Sequence, residues 1–166
     1  SVELKAGLEI ISQVCGEKAR LDIQRIVDFY LERGIYHVGF AHGDFHSRNI
    51  VADKNNSPRV IDLDCIRLNG IQELDVIYYV IEKEWSQSGK FWYETILCYI
   101  EGNVPDEVID LLKKFGINYD VSLAVIYFVD RIGQEYLAYG LNYSNDKLLR
   151  IINGIISMPA STILIH

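Results

Sequence analysis

His42-Gly43-Asp44-Phe45-His46-Ser47-Arg48-Asn49 and Val60-Ile61-Asp62-Leu63-Asp64 are the two stretches that organise this chain. The apolar run from Tyr36 to Ala41 reads as a strand that delivers the chain to His42. After Asn49, Ile50-Val51-Ala52 reads as a short strand, Asp53 to Pro58 as a turn, and Arg59-Val60-Ile61-Asp62 as the returning strand. Pairing the two strands into a hairpin over about 49–62 sets the start of one beside the end of the other. Asn49 and Asp62 are therefore expected to be neighbours, although a loop separates them in sequence.

The residue types point to a chemistry. Asp44 is the candidate catalytic base, since a carboxylate in reach of a hydroxyl orients it and takes its proton. Asn49 and Asp62 offer hard oxygens suited to Mg²⁺, which accepts one or two carboxylates and keeps several waters. Asp64 is a third candidate metal ligand, because on an extended strand it faces the same side as Asp62. Its alternative role is a turn-forming acid where the strand ends. His42 is read as structural, bonding to the loop backbone, and His46 or Arg48 as a cation facing a transferred phosphate, with a solvated charge as the equal alternative for Arg48. A base, an amide ligand and an acidic ligand in this order are the working parts of a kinase-type phosphoryl-transfer site with ATP as donor. A competing pattern is a zinc or manganese hydrolase cluster of His42, Asp44 and His46. The other two histidines, His37 and His166, stand at no recognisable ligand spacing.

At 166 residues the chain is read as one domain with a sizeable core, and 49% apolar content argues against disorder. A net charge of −7 and a pI near 5.0 argue against a nucleic-acid partner, which requires a basic face. Cys15, Cys65 and Cys98 form no C-x-x-C pair and are expected to be buried free thiols. No stretch approaches the ~18 apolar residues of a membrane span, and no secretory signal follows Ser1, so the expected location is cytoplasmic. The start at Ser1 rather than methionine is read as the mark of a longer parent chain, with removal of an initiator methionine as the alternative.

Helical periodicity fills the rest. Leu4, Leu8, Ile11 and Val14 predict a helix ending near Gly16, and Leu21 to Leu31 predict a second, closed by Gly34. Further helices are expected over Glu73–Glu84, Phe91–Ile100, from Pro105 to Phe115, over Val121–Leu141 at the centre of the core, and over Leu148–Ile156. Asp75 reads as a first-turn helix acid. Tyrosines, Trp85 and Trp92 are read as core or groove-lining. Glu82, Glu84, Glu94 and Glu135 are acids on the substrate side whose usual role is a solvated face. Asp130 and Arg131, inside an apolar helix, are either an internal ion pair or cleft residues. The tail from Ser161 to His166 carries no signal.

These motifs resemble the aminoglycoside phosphotransferase and choline kinase-like family of small-molecule kinases. Its His-Gly-Asp-x-His-x-x-Asn loop is matched by His42 to Asn49, its Ile-Asp-[Phe/Leu]-[Asp/Glu] strand by Ile61 to Asp64, and its later helix-opening aspartate by Leu74-Asp75-Val76. The resemblance implies an α+β, mostly α fold, the C-terminal lobe of a protein-kinase-like architecture. Residues 1–166 would form a single lobe, with a catalytic loop at 42–49, a metal-binding strand at 60–64 and substrate-side helices over 73–156. It implies Asp44 as base, with His46 beside it, Asn49 and Asp62 as magnesium and ATP ligands, and Asp75 as structural. The acceptor would be a hydroxyl on a small molecule such as a sugar, amino alcohol or aminoglycoside. The chain departs from the family ahead of His42, where only 41 residues stand, helical in pattern and without Gly-x-Gly. The nucleotide lobe is thus expected to be absent, the chain alone to be nearly inactive, and the exposed lobe interface to drive self-association. A non-catalytic kinase-like binding module is the alternative.

Overall fold

In a computed structural model describing residues 1–140 and 145–159, two long helices precede a small β region, and five more helices follow it. The first pair is α1 (Val2–Cys15) and α2 (Glu17–Glu32). The β region holds β1 (Val38–Ala41), a 3₁₀ turn (Ser47–Asn49), β2 (Ile50–Ala52), β3 (Pro58–Val60) and β4 (Arg67–Ile71). Then come α3 (Gln72–Ser88), α4 (Trp92–Ile100), α5 (Asp106–Lys114), α6 (Val121–Tyr139) and α7 (Asn145–Ile156). The fold is α+β and mostly α. Leu141 and the tail from Ser161 to His166 lie outside the described residues.

α6 is the axis of the core. Every residue from Val121 to Asp130 is buried, as expected of a helix that is apolar on all sides. Asp120 caps its start by accepting a hydrogen bond from the Ser122 N–H at 2.7 Å. α1 lies directly against α6 through two glycines. A Cβ at Gly7 would overlap the Val129 carbonyl oxygen, and a Cβ at Gly133 would overlap the Glu3 carbonyl oxygen. The two backbones thus touch where only hydrogen fits. Leu4, Ile10 and Ile11 on α1 and Ile23, Ile26 and Val27 on α2 complete this side of the core. No helix among the described residues is long and apolar enough to cross a membrane.

The strands form two antiparallel pairs. β2 and β3 pair as Ile50↔Val60, Val51↔Arg59 and Ala52↔Pro58. The connecting turn is built by Asp53, whose Oδ1 accepts from Asn55 N–H at 2.8 Å and Ser57 N–H at 3.0 Å. β1 pairs with β4, Val38 opposite Ile71 and Gly39 opposite Gly70, with an irregularity between Gly39 and Ala41. The sequence did not announce β4: Arg67-Leu68-Asn69-Gly70-Ile71 shows no alternation, and its partner lies far back in the chain.

Two boundaries differ from expectation in ways that matter. The returning strand stops at Val60 instead of continuing through Asp62 or over 60–64, because Asp62 adopts a left-handed backbone (φ 59°) that breaks an extended strand. The thiols are unpaired, but Cys65 is exposed where burial was expected; it sits in the turn after Asp62.

Candidate active site

β1 ends at Ala41 and hands the chain to a loop held from several sides. The His42 N–H donates to Asp75 Oδ2 at 2.6 Å, and the Gly43 N–H donates to Asp75 Oδ1 at 2.8 Å. Asp75 sits in the first turn of α3, as its sequence context predicted, but it reaches back to clamp the loop. Burial pushes its carboxyl above the usual aspartate range, and the two N–H groups partly offset this. Gly43 needs to be glycine: its φ is +79°, and a Cβ there would overlap the Cys65 carbonyl.

The His42 ring is fully committed. The Asp44 N–H donates to its Nδ1 at 3.3 Å, which leaves Nε2 to carry the proton and donate to the Ile61 carbonyl at 3.0 Å. No lone pair remains for a metal. Among the described residues no group of three or more His, Cys, Asp or Glu side chains is placed to hold an ion. The hydrolase cluster of His42, Asp44 and His46 is therefore not formed.

Asn49 and Asp62 flank the same end of the β2–β3 hairpin, and Asn49 is bonded to the backbone of Asp44. Asn49 is buried, and its Nδ2 donates to the Asp44 carbonyl at 3.0 Å, which leaves Oδ1 as the amide's donor atom for a cation. The Ile61 N–H donates to the Asn49 carbonyl at 2.9 Å, extending the ladder one step, so that Asp62 follows the residue opposite Asn49. Asp62 and Asp64 are exposed, and neither forms an ion pair among the described residues. The extended strand that would have aligned Asp64 with Asp62 is not present. Asp64 instead lies in the turn closed by the Ile66 N–H to Leu63 carbonyl bond at 3.2 Å, so turn formation is the role its backbone shows.

Around the Asp44 carboxylate stand three groups. His46 Nε2 is 3.5 Å from Oδ2, and Arg131 Nη1 is 3.8 Å from Oδ1. The Tyr78 phenol is the third, and burial, with the Asp44 charge beside it, pushes it well above its ordinary pKa. His46 is 8% exposed and packs its ring against Tyr78. Arg131 is gripped by Glu135 at 2.6 Å and lies over the Tyr78 ring, 4.5 Å from its centroid. Although burial disfavours its charge, Tyr127, Tyr78 and Glu135 hold the Arg131 pKa above the usual arginine value.

The two residues left open in the sequence thus part ways. Arg131 faces the cleft. Asp130 is internal, bound by Arg67 Nη1 at 2.9 and 2.8 Å through both carboxylate oxygens, while Arg67 Nε stands 3.5 Å from Glu3. Arg67 and Gln134 carry no signal in the sequence, because their partners lie 63 and 91 positions away, and Tyr78 is marked there only as a core or groove-lining tyrosine. The acids read as a solvated wall are each engaged. Glu82 is 3.4 Å from Ser47 Oγ and 3.3 Å from Arg48, pinning the 3₁₀ turn, and Glu84 accepts from the Tyr99 hydroxyl at 2.8 Å. Glu94 accepts from the Phe91 N–H at 3.0 Å. Trp92 packs on Tyr127 and Phe128 in the core, whereas Trp85 is 41% exposed. No protein-family model, curated protein or solved structure matches this chain.

Proposed function

We propose that this chain carries the catalytic and substrate-side lobe of an ATP-dependent phosphotransferase that acts on a hydroxyl of a small molecule, in the manner of the aminoglycoside phosphotransferase and choline kinase-like family. The observation that carries the proposal is that Asn49 bonds the Asp44 carbonyl through its amide and pairs with Ile61, the residue before Asp62, through its backbone. One side chain, Asn49, bonds to the base-bearing residue and flanks the acid that breaks the returning strand.

The donor set fits magnesium: two hard oxygens, one neutral and one anionic, at an open end of the hairpin. Bound there, Mg²⁺ would neutralise charge on the terminal phosphates of ATP during transfer. The chain's own residues do the rest. Asp44 takes the proton of the acceptor hydroxyl on its carboxylate, and His46 at Oδ2 and Arg131 at Oδ1 fix that carboxylate in place. Asp75 and His42 keep the loop in the one conformation in which Asn49 reaches the Asp44 carbonyl. Tyr78 shields one side of the carboxylate from water.

The test is transfer of label from γ-labelled ATP to a panel of sugars, amino alcohols and aminoglycosides, using the full-length protein. Transfer that falls about 10²–10⁴-fold in Asp44→Asn supports the function. Equal transfer by wild type and variant would sink it.

A further inference from the structure

We propose that Arg131 and Gln134, one turn apart on α6, are positioning residues that set the peptide plane and the carboxylate of Asp44; the catalytic half of this inference rests on Asp44 being the base. Gln134 Nε2 donates to the Gly43 carbonyl at 2.8 Å, across 91 positions of sequence. That carbonyl belongs to the peptide plane joining Gly43 to Asp44, and the N–H at the other end of the same plane donates to His42 Nδ1. The plane is therefore pinned at both ends, by α6 on one side and by the loop's own histidine on the other.

Arg131 acts on the same residue one bond further out. Its Nη1 faces Asp44 Oδ1 at 3.8 Å and also donates to Gln134 Oε1 at 3.4 Å. This second bond decides which end of the Gln134 amide points at the loop: with Oε1 held by the guanidinium, Nε2 is the atom left for the Gly43 carbonyl. Glu135 and the Tyr78 ring hold the guanidinium itself. The cavity bounded by Gly43, Asp75, Tyr78, Arg131 and Gln134 has a volume of about 10 Å³, enough for at most one water, so these side chains have little room for other rotamers. Both residues stand on the most deeply buried helix of the fold, the kind of rigid support that holds a reacting group to sub-ångström tolerance.

Packing alone would make any side chain of the right volume acceptable at position 134. Hydrogen bonding makes a specific demand, because a carboxylate of nearly the same shape cannot donate to the Gly43 carbonyl. Hydrogen exchange by mass spectrometry on the full chain separates the two. In Gln134→Glu, amides in 42–49 should exchange roughly five- to tenfold faster, with α1 and the buried half of α6 unchanged. Unchanged exchange in 42–49, or loosening of equal size in α1 and α6, overturns the positioning role. In the transfer assay, Gln134→Glu and Arg131→Gln should each lower kcat about tenfold or more while leaving the KM for ATP within about twofold. Arg131→Lys should recover melting temperature but not kcat, since an ammonium lacks the fork that spans Glu135, Gln134 and Asp44. A raised KM with kcat intact would overturn the catalytic half. A wild-type protein without any transfer would overturn the assignment of Asp44, while the exchange result still decides whether Gln134 holds the loop.

Discussion

Replacing Gly133 with alanine sets two effects of opposite sign against each other. Helix propensity alone favours alanine over glycine by about 1 kcal/mol in a helix interior. Packing opposes it. The new Cβ would overlap the Glu3 carbonyl oxygen, and the Glu3 carbonyl carbon and the Gly7 nitrogen would each stand only 2.8 Å away. All three are backbone atoms of α1, so no side-chain rotation relieves the contact. α1 must move away from α6 by about 1 Å, loosening Leu4, Ile10 and Ile11 at the interface. Overpacking of this kind costs about 1–3 kcal/mol and occasionally more, and a backbone-to-backbone overlap belongs at the upper end. The net expectation is a destabilisation of about 2 kcal/mol, or a fall in Tm of roughly 4–8 °C. Urea unfolding followed by circular dichroism should show a lower midpoint at an unchanged m-value. Gly7→Ala meets the Val129 backbone and forces the same displacement, so the double variant should lose less than the sum of the singles by at least about 0.5 kcal/mol. A Gly133→Ala protein more stable than wild type, as propensity by itself requires, would refute the reasoning.

Three further predictions follow from the hydrogen-bond geometry. Asp75→Ala leaves the His42 and Gly43 N–H groups without their acceptor and should cost about 2–4 kcal/mol, with exchange accelerating at those two amides before any other. Arg67→Ala strands the buried Asp130 carboxylate and should cost about 3–5 kcal/mol by chemical denaturation, whereas Arg67→Met combined with Asp130→Leu should recover much of that loss. The Ser57 and Asn55 N–H groups hold the Asp53 carboxyl below the usual aspartate range. A lowered folded-state pKa means that its contribution is present above the unfolded value and is lost as pH falls through the folded one. Asp53→Asn, which keeps an acceptor but does not titrate, should therefore flatten the acid limb of the stability curve measured below pH 4.

What the sequence made legible was local. The hairpin followed from Asp53 to Pro58 between two short apolar runs, and the helices followed from period and from stops such as Gly16 and Gly34. The pairing of the two strands up to Asn49 needed only antiparallel geometry, which the Ile61 to Asn49 bond displays. What escaped was long-range. β4 pairs with a strand more than twenty residues earlier, Arg67 meets Asp130 across 63 positions, and Gln134 meets Gly43 across 91. None of these pairs leaves a local pattern, because each depends on how α6 is laid across the β region. Only the crossing of α1 and α6 shows why a side chain has no place at Gly7 and Gly133. Asp62 was misread as strand because its apolar neighbours continue the β pattern, whereas its backbone turns left-handed.

The claim at the centre is that Asn49 and Asp62 share a cation beside Asp44. Paramagnetic broadening of assigned NMR resonances by Mn²⁺ with ATP measures this directly in the full-length protein. The account predicts that signals of the Asn49 side-chain amide and of the Ile61 and Asp62 backbone disappear first, and that Asp62→Ala abolishes the effect. Broadening centred on other residues, or broadening that survives Asp62→Ala unchanged, would contradict it.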